Sequence, residues 1–321
     1  MRLATRPNGT PDGELVVVSA DSARCLAIEG LRNLLGAIET WDKAAPLLRA
    51  AAERVDAGQG DALDSDTLKA PLPRSWQWLD GSAFPTHGEL MQVAFSTDPI
   101  ATDRPLMYQG MSDRFYGPYD DMPLPSEADG IDFEGEFGVI VDAVPMGTDA
   151  ATALGHIRLV VQINDWSLRA IAPVEMRTGF GWVQAKPACS MAPFAVTPDE
   201  LGEHWQDGRV CLDLDIAWNG RRFGHANGAA MAFGFHDLVA HAARTRDLVA
   251  GTIIGSGTVS NANYAEVGSS CISERRAIEM IATGQPVTPF MAFGDTVRMS
   301  GSLPDGRMPF GTIDQRVVED G

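Results

Sequence analysis

The sequence predicts a mixed α/β fold that is mainly β, with a small N-terminal α+β domain ahead of a larger sheet-rich one. Two observations predict it. The chain of 321 residues carries 33 glycines and 20 prolines, and these punctuate many short apolar runs. That is the pattern of turn-rich sheet rather than of a helix bundle. Hydrophobic residues make up 45% of the chain, ample for a large buried core.

The elements follow in chain order. Residues 14–18, "ELVVV", come after a Pro-Asp-Gly turn and read as a strand. Residues 41–56, "WDKAAPLLRAAAERVD", read as a helix in which Leu47, Leu48, Ala51, Ala52 and Val55 share a face. Pro46 sits in its first turn or kinks it. The stretch "DAGQGDALDSD" (56–66) is small, acidic and turn-prone and reads as a linker. The boundary therefore falls near residue 70, giving domains over 1–70 and 71–321. Strands are expected over 136–143, 157–164, 209–218, 252–260 and 295–302, the last followed by the turn signal "LPDGR". Residues 235–248, "FHDLVAHAARTRDL", form an amphipathic helix with His236, Leu238, Val239 and Ala242 together. "ISERRAIEMIATG" is ambiguous by pattern.

The formal net charge is −18, which argues against nucleic acid and anionic membranes as partners. Local Arg and Lys can still admit an anionic substrate. The four cysteines (Cys25, Cys189, Cys211, Cys271) have no C-x-x-C spacing. They read as reduced thiols, and with no apolar leader at the N-terminus the expectation is a cytoplasmic protein. No window approaches the roughly 18 uninterrupted apolar residues of a membrane span.

The chemistry concentrates in "IDFEGEFGVIV", which places Glu134 and Glu136 one residue apart in an apolar run. On a strand both point the same way. A solvent-facing polar edge is the bland explanation. Two further stretches weigh against it. "INDWSLRA" puts Asp165 and Arg169 at the end of an expected strand, and "WLDGSAFPTH" puts Asp80 and His87 in one Gly/Pro-containing segment. If Asp80, Glu134, Glu136 and Asp165 converge, their mutual repulsion calls for a cation. An all-carboxylate oxygen set suits Mg²⁺, Mn²⁺ or Ca²⁺ better than zinc. The remaining histidines (His156, His204, His225, His236, His241) lack metal-ligand spacing. "GTIIGSGTVSN" lacks both nucleotide-binding glycine patterns and reads as a strand whose glycines allow close approach.

"DFEGEFGVIV", then "INDWSLRA", then "AKP" and "GSGTVSN", in that order, resembles the fumarylacetoacetate hydrolase family over roughly residues 70 to 318. The resemblance implies a rolled mixed β-sheet core, a homodimer, and a divalent metal that binds small anionic dioxo acids. It implies Glu134, Glu136 and Asp165 as metal ligands, with Asp80 as a fourth. Mg²⁺ is the expected ion, with Mn²⁺ and Ca²⁺ as alternatives. His87 matches a catalytic histidine, Glu274 in "SCISE" the glutamate that orients it, and Lys186 in "QAKPA" a catalytic lysine. Arg169, Tyr108 and Thr258 match substrate-binding positions. The sequence departs from the family pattern at Ala172 and Pro173, where a glutamine is usual, at Pro187 after the lysine, and at Gly81 and Ser82 after the aspartate. The implied activity is hydrolysis of a carbon–carbon bond in a 1,3-dicarbonyl acid, with water activated by His87 and Glu274. Decarboxylation, isomerisation or hydration of a 2-oxo acid on the same metal is the runner-up. A catalytically silent metal- or partner-binding homologue is the third reading.

Overall fold

The run "ELVVV" forms the strand Glu14–Val18. It pairs antiparallel with Arg2–Arg6 on one side and Arg24–Ala27 on the other. The computed structural model describes residues 1–95 and 103–320, and within them these strands do not form a sheet of their own. Arg2 and Leu3 pair with Val196 and Ala195, which joins the N-terminal strands to a central sheet of eleven strands. Its order runs Asp61–Ala62, Arg24–Ala27, Glu14–Val18, Arg2–Arg6, Ala195–Val196, Ile157–Asn164, Gly135–Val141, Ile253–Gly255, Trp78–Ser82, Leu106–Gly110, with Ser190–Met191 paired to Ile157–Asn164 off this path. Ile253–Gly255 runs parallel to Trp78–Ser82, so the sheet is mixed. Its two ends stay open, and the strand order gives no closure into the expected roll.

Alternation sets the layers. On Gly135–Val141 the side chains of Phe137, Val139 and Val141 enter one apolar cluster, while Ile140 enters another. On Ile157–Asn164, Val160 joins the first and Leu159, Val161 and Ile163 join the second. This is the period-2 division of a strand buried on both faces, and it explains the near-continuous apolar run. The first cluster is closed by a five-stranded sheet in the order Arg221–Asn227, Asp213–Trp218, Thr296–Ser302, Ile313–Glu319, Met122–Leu124, through Leu214, Ile216, Val297 and Met299. The second is closed by the helix Trp41–Asp56.

That helix matches its expected span, but its buried stripe is Ala44, Leu48, Ala51 and Val55. Leu47, one position off the stripe, is 51% exposed. The expected linker also carries structure, since Asp61 and Ala62 pair with Cys25 and Arg24. The expected strand over 209–218 divides, because Arg209–Val210 pairs with Trp205–Gln206 while Asp213–Trp218 enters the five-stranded sheet. The strand expected over 252–260 ends at Gly255, and two residues later Gly257 turns the chain at φ +75°. "ISERRAIEMIAT" is the helix Ile272–Thr283, closed by Gly284 at φ +86°. Residues 85–95 also form a helix, Pro85–Phe95, which starts on its proline. Among the described residues no helix is long and apolar enough to cross a membrane.

Candidate metal centre and catalytic pair

Three strands deliver the carboxylates. Asp80 lies on Trp78–Ser82, opposite Gly255 on one side and Tyr108 on the other. Glu136 is the second residue of Gly135–Val141, and Asp165 directly follows Ile157–Asn164. One ligand atom from each of Asp80, Glu136 and Asp165 lies within 4.8 Å of the others, and all three residues are buried. The spacing at Gly255 is obligatory. A Cβ there would lie 2.3 Å from Asp80 Oδ1 and 2.3 Å from Trp78 Cη2, so only glycine fits.

The partners of these carboxylates differ. Asp165 Oδ1 accepts from Cys189 Sγ at 2.9 Å. Its Oδ2 accepts from Tyr108 Oη at 2.7 Å and Lys186 Nζ at 2.5 Å. Asp80 Oδ1 accepts from the Gly257 amide at 3.1 Å. Glu136 is fully buried, yet neither of its oxygens has a hydrogen-bond partner. Burial, then the charges of Asp80 and Asp165, hold Glu136 well above the usual carboxylate range. Burial and then Asp165 do the same to Asp80. Three buried carboxylates this close, two of them driven toward the protonated form by burial and mutual repulsion, call for a cation to offset their charge. An all-oxygen set fits a hard divalent ion such as Mg²⁺ or Mn²⁺.

Glu134 stands apart from this triad. Its Oε1 accepts from Ser167 Oγ at 2.8 Å, Arg169 Nη2 at 2.5 Å and Lys186 Nζ at 2.8 Å, and its Oε2 accepts from Thr258 Oγ1. Burial alone would raise it, but Arg169, Lys186 and His87 pull it well below the usual range. Arg169 also donates from Nε to Asp132 Oδ2 at 2.8 Å. Its guanidinium thus braces two carboxylates of the "DFE" stretch. Lys186 bridges Glu134 and Asp165, with Nζ 5.4 Å from the centroid of the Tyr108 ring. Despite burial, the carboxylates raise both cations above their ordinary values, so both stay charged.

His87 occupies the first turn of Pro85–Phe95 rather than a loop. Its Nδ1 meets Oε2 of the fully buried Glu274 at 2.9 Å. The other oxygen, Glu274 Oε1, has no partner. The pair fixes the ring, and Nε2 is the nitrogen left for proton transfer. The helix start that carries Glu274 is tied to the carboxylate cluster through Asp132, which accepts from the Ile272 and Ser273 amides and from Arg169 Nε. Eight of the ten residues singled out by the sequence form one contiguous group, and His87 and Glu274 form a separate pair.

The first seventy-four residues match the model for the fumarylacetoacetase N-terminal domain 2, and residues 77–318 match that for the fumarylacetoacetate hydrolase C-terminal domain. The chain belongs to the fumarylacetoacetate hydrolase family. Among curated relatives, a 2,4-didehydro-3-deoxy-L-rhamnonate hydrolase from Sphingomonas sp. (strain SKA58) is 29% identical over 163 residues, 50% of this chain and 54% of that protein. The mitochondrial oxaloacetate tautomerase Fahd2a of Rattus norvegicus is 26% identical over 157 residues, 48% of each. The chain thus spans about half the length of the curated relatives it matches. Among solved structures, a maleylpyruvate hydrolase from Sphingobium sp. SYK-6, bound to manganese(II) and pyruvate, shares the fold at TM-score 0.67, with 18% identity and 100% of both chains covered. A 5-carboxymethyl-2-hydroxymuconate delta-isomerase from Mycobacterium smegmatis does so at TM-score 0.63, with 18% identity and 100% of both chains covered.

The sequence reading missed three residues of the cluster. Asp132 carries a signal: Asp132, Glu134 and Glu136 recur at every second position, so strand alternation puts all three on one side. Ser167 lies inside the quoted "INDWSLRA", and Cys189 follows Lys186 by three positions. Neither side chain announces that it will reach a carboxylate.

Proposed function

We propose that this chain is a divalent-metal-dependent hydrolase that cleaves a carbon–carbon bond in a 1,3-dicarbonyl acid of the acylpyruvate or fumarylacetoacetate type. The observations that carry the reading are the His87–Glu274 pair and the buried carboxylate triad that holds Glu136, joined through Asp132, which accepts from Arg169 and from the start of the Glu274 helix. Hydrolysis needs an activated water, and a histidine held by a carboxylate is suited to activate one.

Asp80, Glu136 and Asp165 would hold the ion, with Glu134 beside them as a fourth candidate ligand. We assign Mg²⁺, with Mn²⁺ as an alternative supported by the similarly folded Sphingobium enzyme. When bound, the ion supplies positive charge that polarises the substrate carbonyls and offsets the charge of the departing carbon fragment. His87 Nε2 takes a proton from water as the water oxygen bonds to one carbonyl carbon. Glu274 fixes the ring tautomer and stabilises the imidazolium. Lys186 Nζ donates to the oxyanion that forms on the attacked carbonyl. That oxyanion collapses, and the bond to the carbon between the two carbonyls breaks. The electron pair leaves on that carbon as an enolate, which takes a proton to give the second product. Tyr108 and Thr258 contact substrate, while Arg169 braces the ligand strand or meets the substrate carboxylate.

The protein acts as a homodimer in the cytoplasm on a small anionic dioxo acid. The free state of all four cysteines supports a reducing compartment. The competing reading is isomerisation or decarboxylation of a 2-oxo acid, favoured by the isomerase and tautomerase among its relatives. An assay with added Mg²⁺ on acylpyruvates, fumarylpyruvate, fumarylacetoacetate and oxaloacetate separates them. Loss of diketo absorbance with release of two carbon fragments supports hydrolysis. Carbon dioxide release, or tautomerisation without cleavage, supports the competitor.

A further inference from the structure

Asp132 is an acidic residue that is fully buried, and the mechanism above does not use it. Its Oδ2 accepts from Arg169 Nε at 2.8 Å and from the Ser273 amide at 2.9 Å. Its Oδ1 accepts from the Ile272 amide at 2.7 Å. Ile272 and Ser273 open the helix Ile272–Thr283, whose third residue is Glu274. First-turn amides have no partner within their own helix, and a carboxylate beside them is favoured by their dipoles. Two residues further along the chain from Asp132 stands Glu134, held by the same arginine.

Among the described residues the side chain of Glu274 has one partner, His87, its other oxygen has none, and nothing else aims that carboxylate. Its direction therefore follows from where the helix backbone begins, and Asp132 grips the backbone at that point. A main-chain hydrogen bond, from the Gly135 amide to Ser270 O at 2.9 Å, joins the same two segments. The attachment of the helix to the sheet thus does not depend on Asp132 alone. The carboxylate sets the finer register between them.

We propose that Asp132 is a positioning residue: it locks the helix carrying Glu274, and through it His87, to the strand and arginine that carry the metal-site carboxylates. This deepens the hydrolase reading and rests on His87 being the base. A misaligned base costs turnover rather than binding.

The test uses the full-length protein with Asp132→Asn and Asp132→Ser. Asparagine keeps the size and loses the charge. Serine still accepts from an amide but cannot pair with Arg169. We expect kcat to fall about tenfold to a hundredfold in both, while KM changes by less than about threefold. In the metal-free protein, amide exchange at Ile272 and Ser273 should speed up by about tenfold. Mn²⁺ affinity, measured by calorimetry, should stay near wild type. The His87 Nδ1 proton, followed by NMR, should shift or broaden. Wild-type kcat in a folded variant would overturn the proposal, as would kcat and Mn²⁺ affinity falling together. Failure of both variants to fold would also overturn it, since Asp132 would then hold the fold. A His87→Ala control separates the two claims. If that variant is inactive while Asp132→Asn is fully active, only the present proposal fails. If His87→Ala is itself fully active, the hydrolase reading fails first.

Discussion

His87 Nδ1 lies 2.9 Å from Glu274 Oε2, although 187 residues separate the two in the chain. Each is delivered by the opening turn of a different helix, and Glu274 is fully buried where His87 is 18% exposed. A buried carboxylate whose one partner is a partly accessible imidazole is placed to hold that ring while its far nitrogen meets water.

From this pair, His87→Ala should lose about 10²- to 10⁴-fold in kcat, the usual contribution of a general base. Mn²⁺ affinity should remain, because His87 lies outside the carboxylate triad. Steady-state kinetics and calorimetry check the two halves separately. Full turnover in the variant would remove His87 from the mechanism.

Glu136 predicts a trade between stability and function. Its buried carboxylate has no donor in the metal-free protein. Glu136→Gln relieves the mutual repulsion that holds Glu136 and Asp80 above their ordinary values, so the metal-free Tm should rise by about a degree or two at neutral pH. It should also abolish the rise in Tm that Mg²⁺ gives the wild type, and activity with it. Glu136→Ala should likewise lose metal affinity and activity together. Differential scanning calorimetry with and without Mg²⁺ reads these shifts. A Glu136→Gln protein that still gains a wild-type increment from Mg²⁺ would contradict the ligand assignment.

Stabilisation by the metal should grow with pH. Burial and neighbouring charge hold Asp80 and Glu136 above their ordinary values, so the metal-free folded protein keeps protons that the unfolded chain releases above about pH 4. The folded state then binds more protons than the unfolded one, and these two groups make stability fall as pH rises from about 4 through their raised values. Glu134, held low by Arg169 and Lys186, acts in the opposite sense and loses its contribution in acid. Saturating Mg²⁺ displaces the two protons and removes the loss. The Tm difference between Mg²⁺ and EDTA samples should therefore increase from pH 4.5 to 7.5. A flat difference would contradict the assignment.

Gly255→Ala should damage the site without touching a charge. The added methyl meets Asp80 Oδ1 and Trp78 Cη2, each at 2.3 Å, in a fully buried setting. Overpacking of this kind costs about 1–3 kcal/mol. Because Asp80 has to move, Mg²⁺ affinity should drop in the same variant. Unchanged affinity would show that the Asp80 carboxylate is not a ligand.

Much of this was legible in the sequence, for physical reasons that differ by element. Gly135–Val141 and Ile157–Asn164 announce themselves because strands buried on both faces require unbroken apolar runs. The helix Trp41–Asp56 follows from its period, although Leu47 was assigned to the wrong side because the buried stripe is narrower than the apolar content. Ile272–Thr283 stayed ambiguous since its first turn buries Ser273 and Glu274, polar residues that blur the helical pattern. The helix holding His87 was missed because Gly88, within it, reads as a loop residue. The candidate ligands were legible as residue types. What could not be read was the division between Glu134, which is saturated by cations and hydroxyls, and Glu136, which has no donor, because it depends on Arg169, Lys186 and Thr258 arriving from distant segments.

The central claim is that Asp80, Glu136 and Asp165 enclose one divalent cation next to the His87–Glu274 pair. Anomalous diffraction from crystals grown with Mn²⁺ tests it most directly. The account predicts one strong anomalous peak bounded by those three carboxylates, absent from crystals of Glu136→Gln. No peak at that position in the wild type, or an equal peak in the variant, would contradict it.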